Sequence, residues 1–489
     1  MRRVYMNASQ KNVHTNGLDD RLIRLQDTQR FLPRAECERI IARVKGFAHG
    51  GGETRVSISS YWNGELRWAR NRVSLAGDRR DIWLQVVRSI RGSDGGVTTN
   101  QLDDVSLESA VRAAERLVLL GRPQLPDLEL PGPSFDYPKT AIWSDATYDL
   151  TTETRGEVAR ALIDPAEAQG MLSAGYVEVR GQGIASAAAE GKTLYASCSQ
   201  GQCSMTVRNP AGDGSGWAGL SSYDWATIDA PALAERALQK CLASQNPVAL
   251  EPGRYTVVLE PQAVHDLVRI VVRALGRPGP EGAGRGPFAA GYDEALALWY
   301  TKLGVKVVDE RVTISHDPTD PELGVLPFGL GGDHPRRVTW INRGVLTALA
   351  DVRLYALSTR QDNLGLPNTG SYRMDGGETP IEEMIATTKR GLLVTRFSNI
   401  GVLDERSLLS TGLTRDGLWL IENGKISKAV KNFRFTESPL FVLNSLEQLG
   451  VPVPVFNPVP RPTDMGVVPV IVPPVKARDF SFTSAIDAI

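Results

Sequence analysis

The stretch LEPQAVHDLVRIVVRAL, residues 259–275, follows the strand-like YTVVL (255–259) and runs into the Gly/Pro-rich GRPGPEGAGRGP (276–287). Val264, Leu267, Val268, Val271, Val272 and Leu275 recur at the spacing of one helix face. The residues from Pro261 onward therefore predict a helix with a continuous buried stripe. Pro261 suits the first turn, where its missing N–H costs nothing, and Glu260 before it favours the positive end of the helix. The other face carries Gln262, Asp266, Arg269 and Arg273, with Asp266 and Arg269 at the i,i+3 spacing of an ion pair.

His265 beside Asp266 is the chemically suggestive element. A helix-borne zinc site needs two imidazoles about one turn apart and a carboxylate that acts on the metal-bound water. Positions 268, 269 and 270 are Val, Arg and Ile, and a permanent guanidinium repels a divalent ion. His265 reads as a solvated or hydrogen-bonded surface histidine. His334, in GLGGDHPRRVTW (329–340), is the other candidate, and its setting favours a loop role.

Composition narrows the rest. A chain of 489 residues is too long for one compact core, and 42% hydrophobic with 23% charged residues is ordinary globular material. A net charge of -1 and 7% aromatic residues give no support for nucleic-acid binding. No apolar run is long enough for a membrane helix: VVPVIVPPV (467–475) is short and broken by prolines. The N-terminus lacks a signal-peptide core, and four cysteines make no disulfide framework, so a cytoplasmic location is expected. Cys198 and Cys203, flanking SQGQ, lack the further ligands a metal would need.

Along the chain, residues 1–30 read as a loose arm. Residues 31–125 read as an α+β domain. Within it PRAECERIIARVKGFAHG (33–50) is a helix with Cys37, Ile40, Ile41 and Val44 on one face, and DDVSLESAVRAAERLVLLG (103–121) is a second helix. Ser106 is the expected N-cap of that second helix, with Val111, Ala114 and Leu117 inward. Between them, alternation at Val56, Ile58 and Ser60 and the Asn-Gly of WNGE predict a hairpin, with IWLQVVRSI (82–90) as a following strand. The Pro-rich 123–138 is a linker into a central domain, 126–245, of helices and a strand meander. Residues 246–489 break into short strands between Gly, Pro and Asp and predict a large, mostly-β domain. The fold class is α+β: an N-terminal domain with helices on antiparallel strands, then a mostly-β C-terminal domain.

Several ordered stretches resemble the TldD/PmbA family. GVTTNQLDD (96–104) is similar to its N-terminal strand-to-helix junction, and TVVLEPQAVHDLV (256–268) to its strand–Pro-Glu-Ala–helix entry. KLGVKVVDERVTISHDPTDP (302–321) is similar to a family segment ending in Asp-Asp-Pro, with His316 where an Asp is usual. VTWINRGVLTALADVRLYA (338–356) and TRDGLWLIENGKISKAVKNFRFTES (414–438) resemble the family's later turn and closing hairpin. The resemblance covers about 35–489.

It implies the family's C-terminal fold and a part in a heterodimeric zinc metallopeptidase acting on unfolded or leader peptides. In the TldD-type subunit the same helix carries His-Glu-x-x-x-His, with a late cysteine as a further ligand. Aligned on Pro261-Gln262-Ala263, that motif falls on Arg269, Ile270 and Ala274, and no cysteine follows Cys241. The chain thus resembles the TldE (PmbA)-type subunit with a degenerate metal site, its zinc expected in a TldD-type partner and an extended peptide as shared substrate. No catalytic or metal-binding residue is expected here. Two alternatives stay open: an independent hydrolase with a relocated active site, and a homodimeric peptide-binding protein.

Overall fold

A computed structural model describes residues 30–90, 93–120, 142–187, 193–275, 286–293, 298–328, 335–349, 370–458 and 468–486. The N-terminal region runs α1 (Arg34–Phe47), β1 (Glu53–Ala69), β2 (Arg72–Ile90), β3 (Ser93–Thr99), α2 (Asp104–Leu120), α3 (Asp145–Tyr148), α4 (Thr152–Ala168), β4 (Leu172–Ala187), β5 (Thr193–Arg208), β6 (Ser215–Ser222) and α5 (Ala230–Ala243). The six strands form one antiparallel sheet in the order β3-β2-β1-β4-β5-β6. The sheet therefore takes strands from both sides of residue 125.

One face of this sheet packs on helices. Val56, Ile58, Leu84, Val86, Ala185 and Ala187 meet the apolar sides of α1 and α2, and Leu66, Trp68, Val177, Cys203 and Met205 meet α4 and α5. The expected stripe of α1 is buried in full.

Three local readings need correction. The hairpin does not turn at WNGE: β1 continues through it, and the turn is Arg70-Asn71, both at positive φ (51° and 63°), as a two-residue turn between right-twisted strands requires. Gly64 serves a close approach instead, because a Cβ there would overlap the Arg155 guanidinium of α4. IWLQVVRSI is accordingly the second half of β2. The cap of α2 is Asp103, whose Oδ1 accepts from Ser106 N at 2.9 Å. Leu117 faces outward, 42% exposed.

The C-terminal region runs β7 (Gly253–Leu259), α6 (Pro261–Ala274), β8 (Ala289–Asp293), β9 (Leu298–Thr301), β10 (Ile314–His316), β11 (Val338–Asn342), β12 (Val345–Leu346), β13 (Tyr372–Met374), α7 (Ile381–Ala386), β14 (Arg390–Asp404), β15 (Leu409–Glu422), β16 (Lys425–Ala429), β17 (Phe433–Glu437), α8 (Pro439–Asn444), β18 (Leu446–Leu449), β19 (Val453–Pro454), β20 (Val470–Val472) and β21 (Val475–Ala485). One sheet is ordered β14-β7-β21-β17-β15-β16 and curls on itself, because β14 also pairs with β15. A second is ordered β12-β11-β10-β13-β20-β19. The fold is α+β, as expected, with a mostly-β C-terminal half. The largest apolar core joins α6, both of these sheets and an aromatic group of Phe397, Phe433, Phe435, Phe480 and Phe482.

Candidate functional site at helix α6

Strand β7 is an interior strand, parallel to β14 and antiparallel to β21. It delivers the chain to Glu260, whose N–H donates to Val394 O at 3.0 Å, and Pro261 then opens α6. The stripe Val264, Leu267, Val268, Val271, Val272 and Leu275 is buried as its spacing predicts.

The polar side of the helix is exposed at Arg273 but not in its first turns. His265 is 3% exposed and Asp266 6%, which overturns the surface reading of His265. Its Nδ1 lies 2.9 Å from Tyr372 Oη on β13, and the Asn457 side chain also hydrogen-bonds the ring. Burial, reinforced by the Arg269 charge, pushes His265 down to about 3. The ring is neutral at pH 7, so it serves poorly as a general base there. Tyr372 is held above its ordinary value, chiefly by burial.

Asp266 does not form the expected ion pair with Arg269. Its Oδ2 accepts from Phe397 N at 2.9 Å and its Oδ1 from Gln262 Nε2 at 3.4 Å, while Arg269 Nε donates to the Asp266 backbone carbonyl at 3.3 Å. Burial raises Asp266 to about 6, against the opposing pull of Arg269. The carboxylate thus ties α6 to β14 across 131 positions of sequence. Gln262 holds Phe456 by two hydrogen bonds of 3.1 Å, donating from Nε2 to its O and accepting at Oε1 from its N. Asn457 N donates to Ser221 Oγ at 2.9 Å, so the polar side of α6 reaches the N-terminal sheet through this loop.

The three positions on which the zinc motif was aligned lie farther along the helix. Arg269 and Ile270 are half-buried, Ile270 against the apolar core, and Ala274 is buried. A guanidinium, a branched alkyl group and a methyl group offer no metal ligand, so these residues do not fit a zinc ion. Among the described residues no three His, Cys, Asp or Glu side chains gather as a metal site. His316 is buried on β10, its Nδ1 3.0 Å from Ser371 O and its ring stacked on Trp340. His334 lies outside the described residues, as do residues 276–285 of the Gly/Pro loop. Cys198 and Cys203 sit in mid-strand on opposite faces of β5, each pushed up to about 12 by burial, and neither is a poised thiolate.

Residues 252–484 match the family model described as the PmbA/TldA metallopeptidase C-terminal domain. Residues 252–484 thus form a C-terminal domain of the PmbA/TldD type. A protein named metalloprotease from Methanothermobacter thermautotrophicus is 25% identical over 234 residues, 44% of this chain and 46% of that protein; the match thus spans about half the length of that relative. Three crystal structures share the fold at 16–17% identity. TldE from Thermococcus kodakarensis superposes with a TM-score of 0.75 over 92% of this chain and 100% of that one. A proposed modulator of a DNA gyrase from Thermotoga maritima gives 0.75 over 91% and 99%. A second such protein, from Bacteroides thetaiotaomicron, gives 0.76 over 93% and 100%.

Sequence reasoning missed Tyr372, Asn457 and Phe456, which reach α6 from 107 to 194 positions away. It also missed a polar group on the N-terminal sheet. The alternation in YVEVRG (176–181) points to it, but alternation alone reads as a solvated face.

Proposed function

We propose that this chain is the non-catalytic, TldE-like subunit of a cytoplasmic heterodimeric zinc metallopeptidase that acts on unfolded or leader peptides. One observation carries the reading. On a helix that otherwise follows the family's strand–Pro–helix entry, Arg269, Ile270 and Ala274 stand where two imidazoles and a carboxylate are required. A TldD-type partner supplies the zinc and the chemistry. This chain shapes the shared cleft, where an extended substrate pairs with strand edges through main-chain hydrogen bonds and sequence preference stays low. His265 and Asp266 hold the helix in place and take no part in proton transfer.

The test is to purify the chain alone and together with its TldD-type partner, then measure bound zinc and hydrolysis of an unstructured peptide. The isolated chain is expected to hold well under one equivalent of zinc and to cleave nothing, and the pair to cleave. One equivalent of zinc in the isolated chain overturns the reading. Cleavage by the isolated chain that His334→Ala abolishes favours a relocated active site, and a native mass showing two copies of this chain alone favours a homodimeric peptide binder.

A further inference from the structure

Between its two helix pairs the N-terminal sheet carries a recess built of aromatic rings. Side chains alternate along β1: Val56 and Ile58 face α1 and α2, and Leu66 and Trp68 face α4 and α5. Trp62, midway between them, points the same way, into the gap the helices leave. The buried polar residues Asn63, Arg180, Gln200 and Gln202 lie on the sheet's opposite, covered face. Glycine keeps the gap open. Gly181, directly opposite Trp62, yields its space to Tyr148 of α3, because a Cβ there would lie 2.7 Å from that ring. At Gly183 a Cβ would lie 2.8 Å from the Phe31 ring. Tyr148 stands edge-on to Trp62, centroids 5.9 Å apart, with Trp143 4.8 Å from it.

One cation fills the recess. The Arg30 guanidinium lies 4.0 Å from the centroid of Trp62 and 4.8 Å from that of Tyr148. Its Nη1 donates to Tyr148 O, and its backbone N donates to Tyr148 Oη at 3.3 Å. No carboxylate of the described residues pairs with it: Asp78, beside Trp62, takes the Arg155 guanidinium and Trp62 Nε1, the latter at 2.9 Å. The rings are positioned without help from Arg30. Asp78 pins Trp62, while Thr147 and Ser144 fasten α3 to Tyr223, Trp225 and Ser199 by bonds of 2.7–2.9 Å.

We propose that Trp62 and Tyr148 form a receptor for an arginine side chain, closed in this chain by Arg30 and opened to an arginine of another polypeptide when Arg30 leaves. The contact can open because a single half-buried side chain ahead of α1 makes it, through π faces and uncharged oxygens. The occupant in place names the chemistry. A planar guanidinium covers a ring and donates sideways to a carbonyl at once, which a compact, strongly hydrated ammonium does less well. A polypeptide is favoured over the free amino acid because the amide N–H that meets Tyr148 Oη is a charged, hydrated ammonium in free arginine.

The test titrates the full-length chain and its Arg30→Ala variant with N-acetyl-L-arginine amide, read by tryptophan fluorescence. N-acetyl-L-lysine amide and free L-arginine serve as further probes, with thermal melting in parallel. Arg30→Ala is expected to give a saturable change with half-saturation in the millimolar range, about tenfold tighter than the wild type, where the tethered Arg30 competes. The other two probes bind more weakly than the arginine amide, and adding Tyr148→Leu to Arg30→Ala, which fills the space without a π face, abolishes the signal. The melting temperature of Arg30→Ala stays within a few degrees of the wild type. No saturable change in Arg30→Ala, equal affinity in the wild type, binding that survives Tyr148→Leu, or equal or tighter binding of either other probe overturns the proposal. A collapse in the melting temperature of Arg30→Ala overturns it too, since Arg30 would then be a strut and not a removable plug. The recess shares no residue with α6, so its failure leaves the reading of α6 untouched.

Discussion

Helix α6 and the covered face of the N-terminal sheet both bury polar side chains, and they treat them differently. At α6, His265 meets Tyr372 and Asn457, Asp266 meets Phe397 and Gln262, and Gln262 clasps Phe456. On the sheet, Asn63, Arg180, Gln200 and Gln202 each keep a polar atom without a partner among the described residues. A closed network holds elements in register, so α6 is a structural hub. An open one contributes less, because each unmatched buried group lowers stability.

Three classes of substitution break or sharpen that contrast. The apolar side of α6 sets the upper scale: Leu267→Ala is expected to cost about 2–5 kcal/mol by leaving a cavity in the main core, read as a lowered urea midpoint at unchanged slope. A cost below about 1 kcal/mol would mean the helix is loosely packed. Tyr372→Phe tests the closed network. Removing its hydroxyl leaves His265 Nδ1 buried with one partner fewer and should lower stability by about 1–3 kcal/mol, whereas a neutral result would make this network resemble the open one.

The pH dependence follows from the same histidine. In the folded chain burial pushes His265 down to about 3, from an ordinary histidine value of about 6.5. Between those values the unfolded chain binds the extra proton, so the stability this ring contributes is fully present above about pH 6.5. It falls as the pH drops toward 3, by at most about 1.4 kcal/mol per pH unit. Asp266, raised to about 6 from 3.8, works in the opposite sense: stability falls as pH rises through that window. His265→Gln should therefore shrink the wild-type loss between pH 7 and pH 5 by up to about 2 kcal/mol in urea unfolding. An unchanged difference would show that the ring is not buried in solution. At the small end, Arg67→Ala removes an ion pair to Glu65 from a side chain 57% exposed and should change stability by less than about 0.5 kcal/mol.

Much of this was legible beforehand because it is local. The stripe of α6, its start at Pro261, the buried face of α1 and the strand meander of 172–222 depend on periods of 3.6 and 2 that neighbouring residues reveal. The misreadings have local causes too. Asn-Gly usually signals a turn, and only the Arg155 guanidinium lying against Gly64 explains a glycine in mid-strand. The Arg70-Asn71 turn carries no glycine to advertise it.

By itself, the sequence determined that α6 is amphipathic and that its 269, 270 and 274 positions hold no metal ligand, since side-chain chemistry is the same in any fold. Tertiary structure alone decided that His265 and Asp266 are buried, and that four polar residues from three strands share one covered face. Burial and hydrogen bonding depend on what the rest of the chain places alongside a residue. Here those neighbours come from more than a hundred positions away.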